Sequence, residues 1–332
     1  MTNLPPWLAG PTEKLKVARE AGRLPHALLL HEAPGAGGDL VATYAAQLLL
    51  CTGTTPACGQ CRSCRRVATN EHPDYRMVVP DPEMKLGQIS VDQVRDLGEQ
   101  LALSSHEGRG TCILINPAHA LNRFSANALL KTLEEPRPGV LLILQTSSPS
   151  LLPATLRSRC LRLRLQAPDR ETALDWLVAQ KPGKREDWSV ALEVLGVAPL
   201  EAIGADLEQL QHIRQDVLTL LQDARQGRID VVRTAAHWAQ DALALRLRCI
   251  ENCLTGLVMQ PREAPRQKRE LGANAQLQTG GADINIRSAL GLLDGVRELQ
   301  RQLGTSVSKP LALERYLWQL NRAAVAGKSA AG

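Results

Sequence analysis

Between Thr12 and about Leu165, short and largely apolar runs alternate with longer stretches in which apolar residues recur every three or four positions. Runs of the first kind read as buried strands: Ala27 to Leu30, Arg76 to Val79, Cys112 to Ile115, Val140 to Gln145 and Cys160 to Leu165. Stretches of the second kind read as helices: Thr12 to Ala21, Gly38 to Cys51, Val91 to Leu103 and Ser125 to Glu134. Ser90 stands where the third of these needs an N-cap. Such alternation predicts an α/β core with a parallel sheet covered by helices, residues 1–165.

Strand-like runs then stop. Residues 166–205 carry a short helical segment, D-R-E-T-A-L-D-W-L, a Lys/Pro/Gly-containing loop and two further amphipathic pieces, which predict a small helical subdomain. From Asp206 to residue 332 the pattern is all-helical. Leu207, Leu210, Ile213, Val217 and Leu221 recur at helical spacing, as do Leu292, Val296, Leu299 and Leu303, and then Leu313, Leu317 and Leu320. The last segment is apolar on more than one side, which suits packing against partner subunits. Pro261 to Gly281 interrupts the pattern as a polar surface loop bearing Arg262, Arg266, Lys268 and Arg269.

Composition narrows the function classes. A chain of 332 residues with 44% hydrophobic content supports two or three domains with real cores. No run approaches transmembrane length, and M-T-N-L-P-P-W lacks a charged-then-apolar leader, so the expectation is a soluble, cytoplasmic protein without membrane contact. The net charge of +5 permits contact with nucleic acid but is too mild to demonstrate it. With aromatics at 3%, stacking single-stranded bases on an aromatic platform is disfavoured.

The turn after the first strand, H-E-A-P-G-A-G-G-D-L from His31 to Leu40, has the shape of a phosphate-binding loop without its chemistry. A working loop, G-x-x-x-x-G-K-[ST], wraps phosphate in backbone N–H groups, places Lys on the β/γ-phosphates and a hydroxyl on Mg²⁺. Here Glu32 replaces the first Gly, Gly38 the Lys and Asp39 the hydroxyl, and of the turn only Gly35 and Gly37 remain. Two carboxylates with no ammonium between them repel a triphosphate. The matching second site, where a buried strand ordinarily ends in Asp-Glu to hold Mg²⁺ and polarise water, reads Asn116-Pro117. The expectation is a P-loop fold with no functional ATP site; the plainer alternative is strand-turn-helix repeated twice with no nucleotide history.

Four of the eight cysteines, Cys51, Cys58, Cys61 and Cys64, form C-x6-C-x2-C-x2-C. Two successive C-x2-C steps turn three thiolates toward one point, and Cys51 at the end of the preceding helix closes a tetrahedron of the kind that holds structural Zn²⁺. Arg62, Arg65 and Arg66 would ease the charge of four thiolates. Disulfides are the competing reading, disfavoured in a reducing compartment. His72 is an alternative ligand, although His72-Pro73-Asp74 reads better as a turn. Cys112, Cys160, Cys249 and Cys253 lie in apolar contexts and read as core.

Three further strings accumulate: Arg23-Leu24-Pro25-His26-Ala27 before the first strand, N-A-L-L-K-T-L-E-E-P from Asn127 to Pro136, and T-L-R-S-R-C from Thr155 to Cys160. With the cysteine insertion, they make the first 165 residues resemble the bacterial clamp-loader subunits of DNA polymerase III, a branch of the AAA+ family. Some members, gamma/tau, keep a working loop; another kind keeps the cysteines and Ser-Arg-Cys while losing the Lys, and this chain is similar to the second kind.

The resemblance implies an AAA+ core (1–165) with a zinc insertion (51–64), a helical lid (166–205) and an oligomerising helical collar (206–332). It also implies a non-hydrolysing role beside delta and three gamma/tau copies in a complex that uses ATP to load the beta sliding clamp onto primed DNA. Arg159, within Ser158-Arg159-Cys160, would then be an arginine finger reaching a neighbour's γ-phosphate. Thr146 falls where the family places a γ-phosphate sensor, here vestigial or merely capping. Gly196 to Gly204 lacks the Arg that a lid supplies over nucleotide. Lys131 and Arg123 are candidates to face DNA. Rival readings are a gamma/tau-like ATPase with an atypical loop and a zinc-dependent DNA-binding regulator.

Overall fold

The computed structural model describes residues 4–81, 87–102, 105–259, 286–303 and 307–329. The chain divides into two compact units, Met1–Pro168 and Asp169–Gly332. In the first, five parallel strands form one sheet: β1 (Ala27–Glu32), β2 (Tyr75–Val78), β3 (Thr111–Ile115), β4 (Val140–Thr146) and β5 (Leu161–Leu165). Their spatial order is β2-β3-β4-β1-β5. Helices α1 (Ala9–Glu20) and α2 (Gly38–Leu50) cover one face, and α4 (Val91–Ala102) and α5 (Arg123–Glu134) the other. Short helices α3 (Arg62–Ala68) and α6 (Ala154–Arg157) follow α2 and precede β5.

The pleat sends successive side chains to opposite faces, so each strand feeds two cores. Leu28, Leu30, Cys112, Leu114, Leu141 and Ile143 pack with Val41, Ala45 and Leu48 of α2. Ala27, Leu29, Ile113, Ile115, Leu142 and Leu144 pack with Val94, Leu97, Leu129 and Leu133 of α4 and α5. Each such leucine or isoleucine, fully buried, contributes about 1.5–3 kcal/mol. The register sets Leu30 beside Gln145 and Leu114 beside Ile143. Counting by two, Glu32, Asn116 and Gln145 therefore reach the carboxyl edge on the α2 face. That is where ligands bind in open parallel sheets.

Local chemistry sets most boundaries. Asn122 caps α5 by accepting the N–H groups of Phe124 and Ser125, so that helix starts at Arg123 and not Ser125. Ser90 and Gln93 cap α4 reciprocally, Ser90 Oγ accepting the Gln93 N–H and Gln93 Oε1 the Ser90 N–H. Strand β1 runs two residues beyond the expected Leu30 because His31 and Glu32 still pair with β4 and β5. Helix α1 starts at Ala9, three residues before the expected Thr12, while β2 lies one residue earlier than expected and β5 starts one residue later.

The second unit is helical: α7 (Arg170–Gln180), α8 (Arg185–Leu195), α9 (Pro199–Ala202), α10 (Leu207–Gln226), α11 (Val231–Trp238), α12 (Leu243–Met259), α13 (Ile286–Gln302) and α14 (Lys309–Ser329). Its stripes, Leu210, Ile213 and Val217; Leu292, Val296 and Leu299; and Leu313, Leu317 and Leu320, join Leu177, Trp188 and Leu192 in one core. The helices expected for 166–205 and those expected for 206–332 thus share that core. The buried Glu193 of α8 ties them further, accepting from Arg170 at 3.1 Å and from Arg214 of α10 at 2.6 Å. The basic loop from Pro261 to Gly281 lies outside the described residues. Among those described, no helix is long and apolar enough to cross a membrane.

Candidate functional site

At the end of β1 the chain turns through Gly35 (φ 70°) and Gly37 (φ 104°) into α2. The α2 N-terminus, whose free N–H groups and dipole favour an anion, is occupied by the chain's own carboxylate. Glu32 Oε2 accepts the Gly38 N–H at 2.5 Å, and Gln145 Nε2 donates to Glu32 Oε1 at 2.6 Å. The same amide nitrogen reaches Asp39 Oδ1 at 2.9 Å, which also accepts from Asn116 Nδ2 at 3.0 Å. A Cβ at position 38 would land on the Glu32 carboxylate and within 2.6 Å of Gln145 Nε2. Glycine stands at the Lys position because Glu32 fills the space a side chain needs. From the turn Pro6–Leu8, Trp7 Nε1 donates to Ala36 O at 2.8 Å and fastens the loop.

The structure brings Glu32, Gly38, Asp39 and Asn116 together, and Gln145 joins them. Sequence reading did not single out Gln145; Thr146, expected to be vestigial or merely capping, is turned by the pleat to the opposite face. There its Oγ1 meets His119 Nδ1 at 2.8 Å and accepts the Ser148 N–H. The signal was present, since Gln145 follows Leu141 and Ile143 at the strand period.

Burial pushes the Glu32 carboxyl above its ordinary value of 4.5, a rise that Asp39 reinforces and the Gln145 and Gly38 donors reduce. With its folded value raised, Glu32 favours folding below the unfolded pKa, and that contribution is lost as pH rises through the folded value. Glu32→Gln keeps the shape and can exchange donors with Gln145, whose Oε1 is buried without a partner in the described structure. The variant should gain melting temperature relative to wild type as pH goes from about 4 toward 7. Thermal unfolding of the two proteins in parallel checks this; a pH-independent difference would contradict it.

Behind the loop, Cys51 caps α2 and Cys61 caps α3, so two helix ends deliver the thiols. Cys51 Sγ lies 3.6 Å from Cys58 Sγ and 3.9 Å from Cys61 Sγ, and all four sulfurs, Cys64 included, lie within 4.8 Å of one another. A Zn–S bond of about 2.3 Å gives a tetrahedral edge of about 3.8 Å, so the cluster fits Zn²⁺. Backbone N–H groups of Gly53, Cys61 and Cys64 point at the sulfurs of Cys51, Cys58 and Cys61 at 3.3–3.4 Å. Burial opposes ionisation of Cys61, yet the donors of Cys64 and Thr52 outweigh it and lower its thiol to about 5. Gly53 is needed, since a Cβ there would come within 2.9 Å of Cys58 Sγ.

His72 is not a ligand. Its Nδ1 accepts the Asp74 N–H at 3.0 Å, and its Nε2 meets Ser63 Oγ at 2.9 Å, which in turn donates to Leu50 O. The ring splints the insertion to the end of α2. None of the eight cysteines is joined in a disulfide, and of the other four Cys112, Cys160 and Cys249 are buried and Cys253 partly so.

The Ser158-Arg159-Cys160 string lies between α6 and β5. Cys160 is buried, while Arg159 stays at the surface. Arg159 Nη2 pairs with Glu134 Oε1 at 2.6 Å, and Nη1 donates to Thr155 O at 3.0 Å. Sequence reasoning missed Glu134, the last residue of α5. Arg123 and Lys131 are exposed two turns apart on the same helix. The segment Gly196 to Gly204 holds α9 and no arginine.

A family model described as DNA polymerase III, delta subunit, matches residues 9–169. The DNA polymerase III subunit delta' of Haemophilus influenzae is 36% identical over 214 residues, 64% of this chain and 63% of that one. That of Yersinia pestis is 33% identical over 256 residues, 75% of this chain and 74% of that one. The chain thus spans just under two thirds of the first relative's length and about three quarters of the second's. Among solved structures, a DNA polymerase III gamma subunit-related protein of Thermotoga maritima aligns over 94% of this chain and 99% of that one, with 16% identity and a TM-score of 0.49.

Proposed function

Because the chain belongs to the DNA polymerase III subunit delta' family, we propose that it is the clamp-loader subunit that hydrolyses no ATP and completes a neighbour's ATPase site. In this reading it assembles with delta and gamma/tau subunits through the helices of residues 206–332. The α/β core of residues 1–165 carries the finger, and residues 166–205 form a lid with nothing to close on. The complex, cytoplasmic like the replication machinery it serves, opens the beta sliding clamp and sets it on primed DNA. Zn²⁺ on Cys51, Cys58, Cys61 and Cys64 is structural, since four protein thiolates leave no coordination position for chemistry.

The observation that carries the reading is Glu32 on the α2 N-terminus. A phosphate at that place would have to displace a carboxylate held by two donors and would meet a second one at Asp39. The rival ATPase reading needs the same space for a Lys and a triphosphate. Arg159 supplies what the neighbour needs: a permanent charge with a planar fork matched to phosphoryl oxygens. Lys131 and Arg123 are offered as weak, salt-sensitive contacts to DNA phosphates within the complex.

Isolated chain titrated with Mg·ATP, followed by calorimetry or a fluorescent analogue, should give no saturable binding up to about 1 mM, equivalent to less than about 4 kcal/mol of affinity. Binding at micromolar ATP would overturn the proposal and favour the gamma/tau-like alternative.

A further inference from the structure

The contact between Arg159 and Glu134 has no part in the loop from His31 to Leu40, yet it fixes the direction of the guanidinium that the proposed function uses. Arg159 is 36% exposed and Glu134 50%, and an ion pair so open to solvent adds little to folding. What it does is geometric. The bond from Nη2 to Glu134 Oε1 and the bond from Nη1 to Thr155 O hold two corners of a rigid, planar group. Three of its five N–H donors remain for an incoming anion. The two anchors come from different elements, the end of α5 and the single turn of α6, so the fork is aimed by the packing of the core and not by its own rotamers.

We propose that Glu134 is the positioning residue for Arg159, orienting the guanidinium before the neighbouring subunit's nucleotide arrives. The inference rests on the reading of Arg159 as a finger in trans. A long side chain free to rotate loses entropy when it docks on a phosphoryl group, and one already held in place loses less. Glu134 moves no proton and touches no substrate; it acts through Arg159 alone.

The test uses the full clamp-loader assembly with primed DNA, comparing Glu134→Ala, Glu134→Gln, Arg159→Ala and the double variant Glu134→Ala/Arg159→Ala. Glu134→Ala should lower kcat for ATP about tenfold with KM unchanged, because only the alignment at the reacting phosphate suffers. Glu134→Gln, whose Oε1 can still accept the Nη2–H, should recover most of the loss. The double variant should be no slower than Arg159→Ala, as expected for two residues acting as one unit.

Equal or faster turnover for Glu134→Ala while Arg159→Ala is slow would overturn the positioning role, faster turnover identifying Glu134 as a restraint. An additive double variant would also overturn it. Arg159→Ala at wild-type rate would instead remove the finger reading itself. Melting curves of the isolated variants should overlay the wild type; if Glu134→Ala fails to assemble, the Gln variant alone must show the smaller kcat loss, and a wild-type kcat there together with failed assembly of the Ala variant overturns the proposal.

Discussion

Arg159→Ala should lower ATP turnover at the site it completes by about 10³-fold or more, while leaving this chain folded and the assembly intact. The size follows from where the charge acts. Phosphoryl transfer spreads negative charge over the equatorial oxygens, and a guanidinium delivered from a neighbour stabilises it without moving with the reaction. Folding is spared because the side chain lies at the surface outside the core and its ion pair with Glu134 is worth about 0–1 kcal/mol. Arg159→Lys should fall between the two, since it keeps the charge and loses the fork. Steady-state hydrolysis in the presence of primed DNA and the clamp reads the loss, and single-turnover kinetics separate the affected site from those that receive another subunit's arginine. Undiminished turnover would withdraw the assignment.

How far the sequence was legible depends on the range over which each feature is encoded. The cysteine cluster is encoded within fourteen residues, Cys51 to Cys64, and a spacing that local suffices to bring four sulfurs together. The buried strands were legible because β1, β3 and β4 are covered on both faces and lack the polar alternation of an exposed sheet. Their ends were not, since His31, Glu32 and Thr146 are polar residues still held in the ladder. Helix α3 was hidden by its composition, R-S-C-R-R-V-A, which has no apolar stripe because Cys64 faces the sulfur cluster, Ser63 bonds Leu50 and His72, and its arginines mostly face outward.

The loop shows the limit most clearly. Substitutions at Glu32, Gly38 and Asp39 signalled that phosphate chemistry was gone, and mutual repulsion of two carboxylates was the physical expectation. The structure resolves that repulsion with an amide from Gln145, 113 residues away from Glu32 in sequence, and with Asn116. No local pattern announces such a contact. Strand parity narrows the choice to Gln145 only after the register between β1 and β4 is known. Glu134 and Arg159 are the same case on the other side of the core: each sits in a recognisable string, and nothing in either string says that the two strings touch.

Removing the metal should have the largest effect on the stability of the first unit. Native protein purified without chelator is expected to carry about one equivalent of Zn²⁺. Stripping it with a strong chelator, or replacing Cys64 by serine, leaves thiols that repel as thiolates or sit buried without partners, and undoes a link between the ends of α2 and α3. If that link contributes even about 4 kcal/mol, the melting midpoint of a unit this size falls by roughly 8–16 °C. The disturbance should travel along α2, a rigid rod of about 20 Å, from Cys51 at its far end to Gly38 under the Glu32 carboxylate. Hydrogen exchange should therefore quicken both in residues 51–72 and at the α2 N-terminus, with the β4 interior unchanged. Purified protein with four titratable thiols, no zinc and an unaltered melting curve would show instead that the four sulfurs converge without holding a metal.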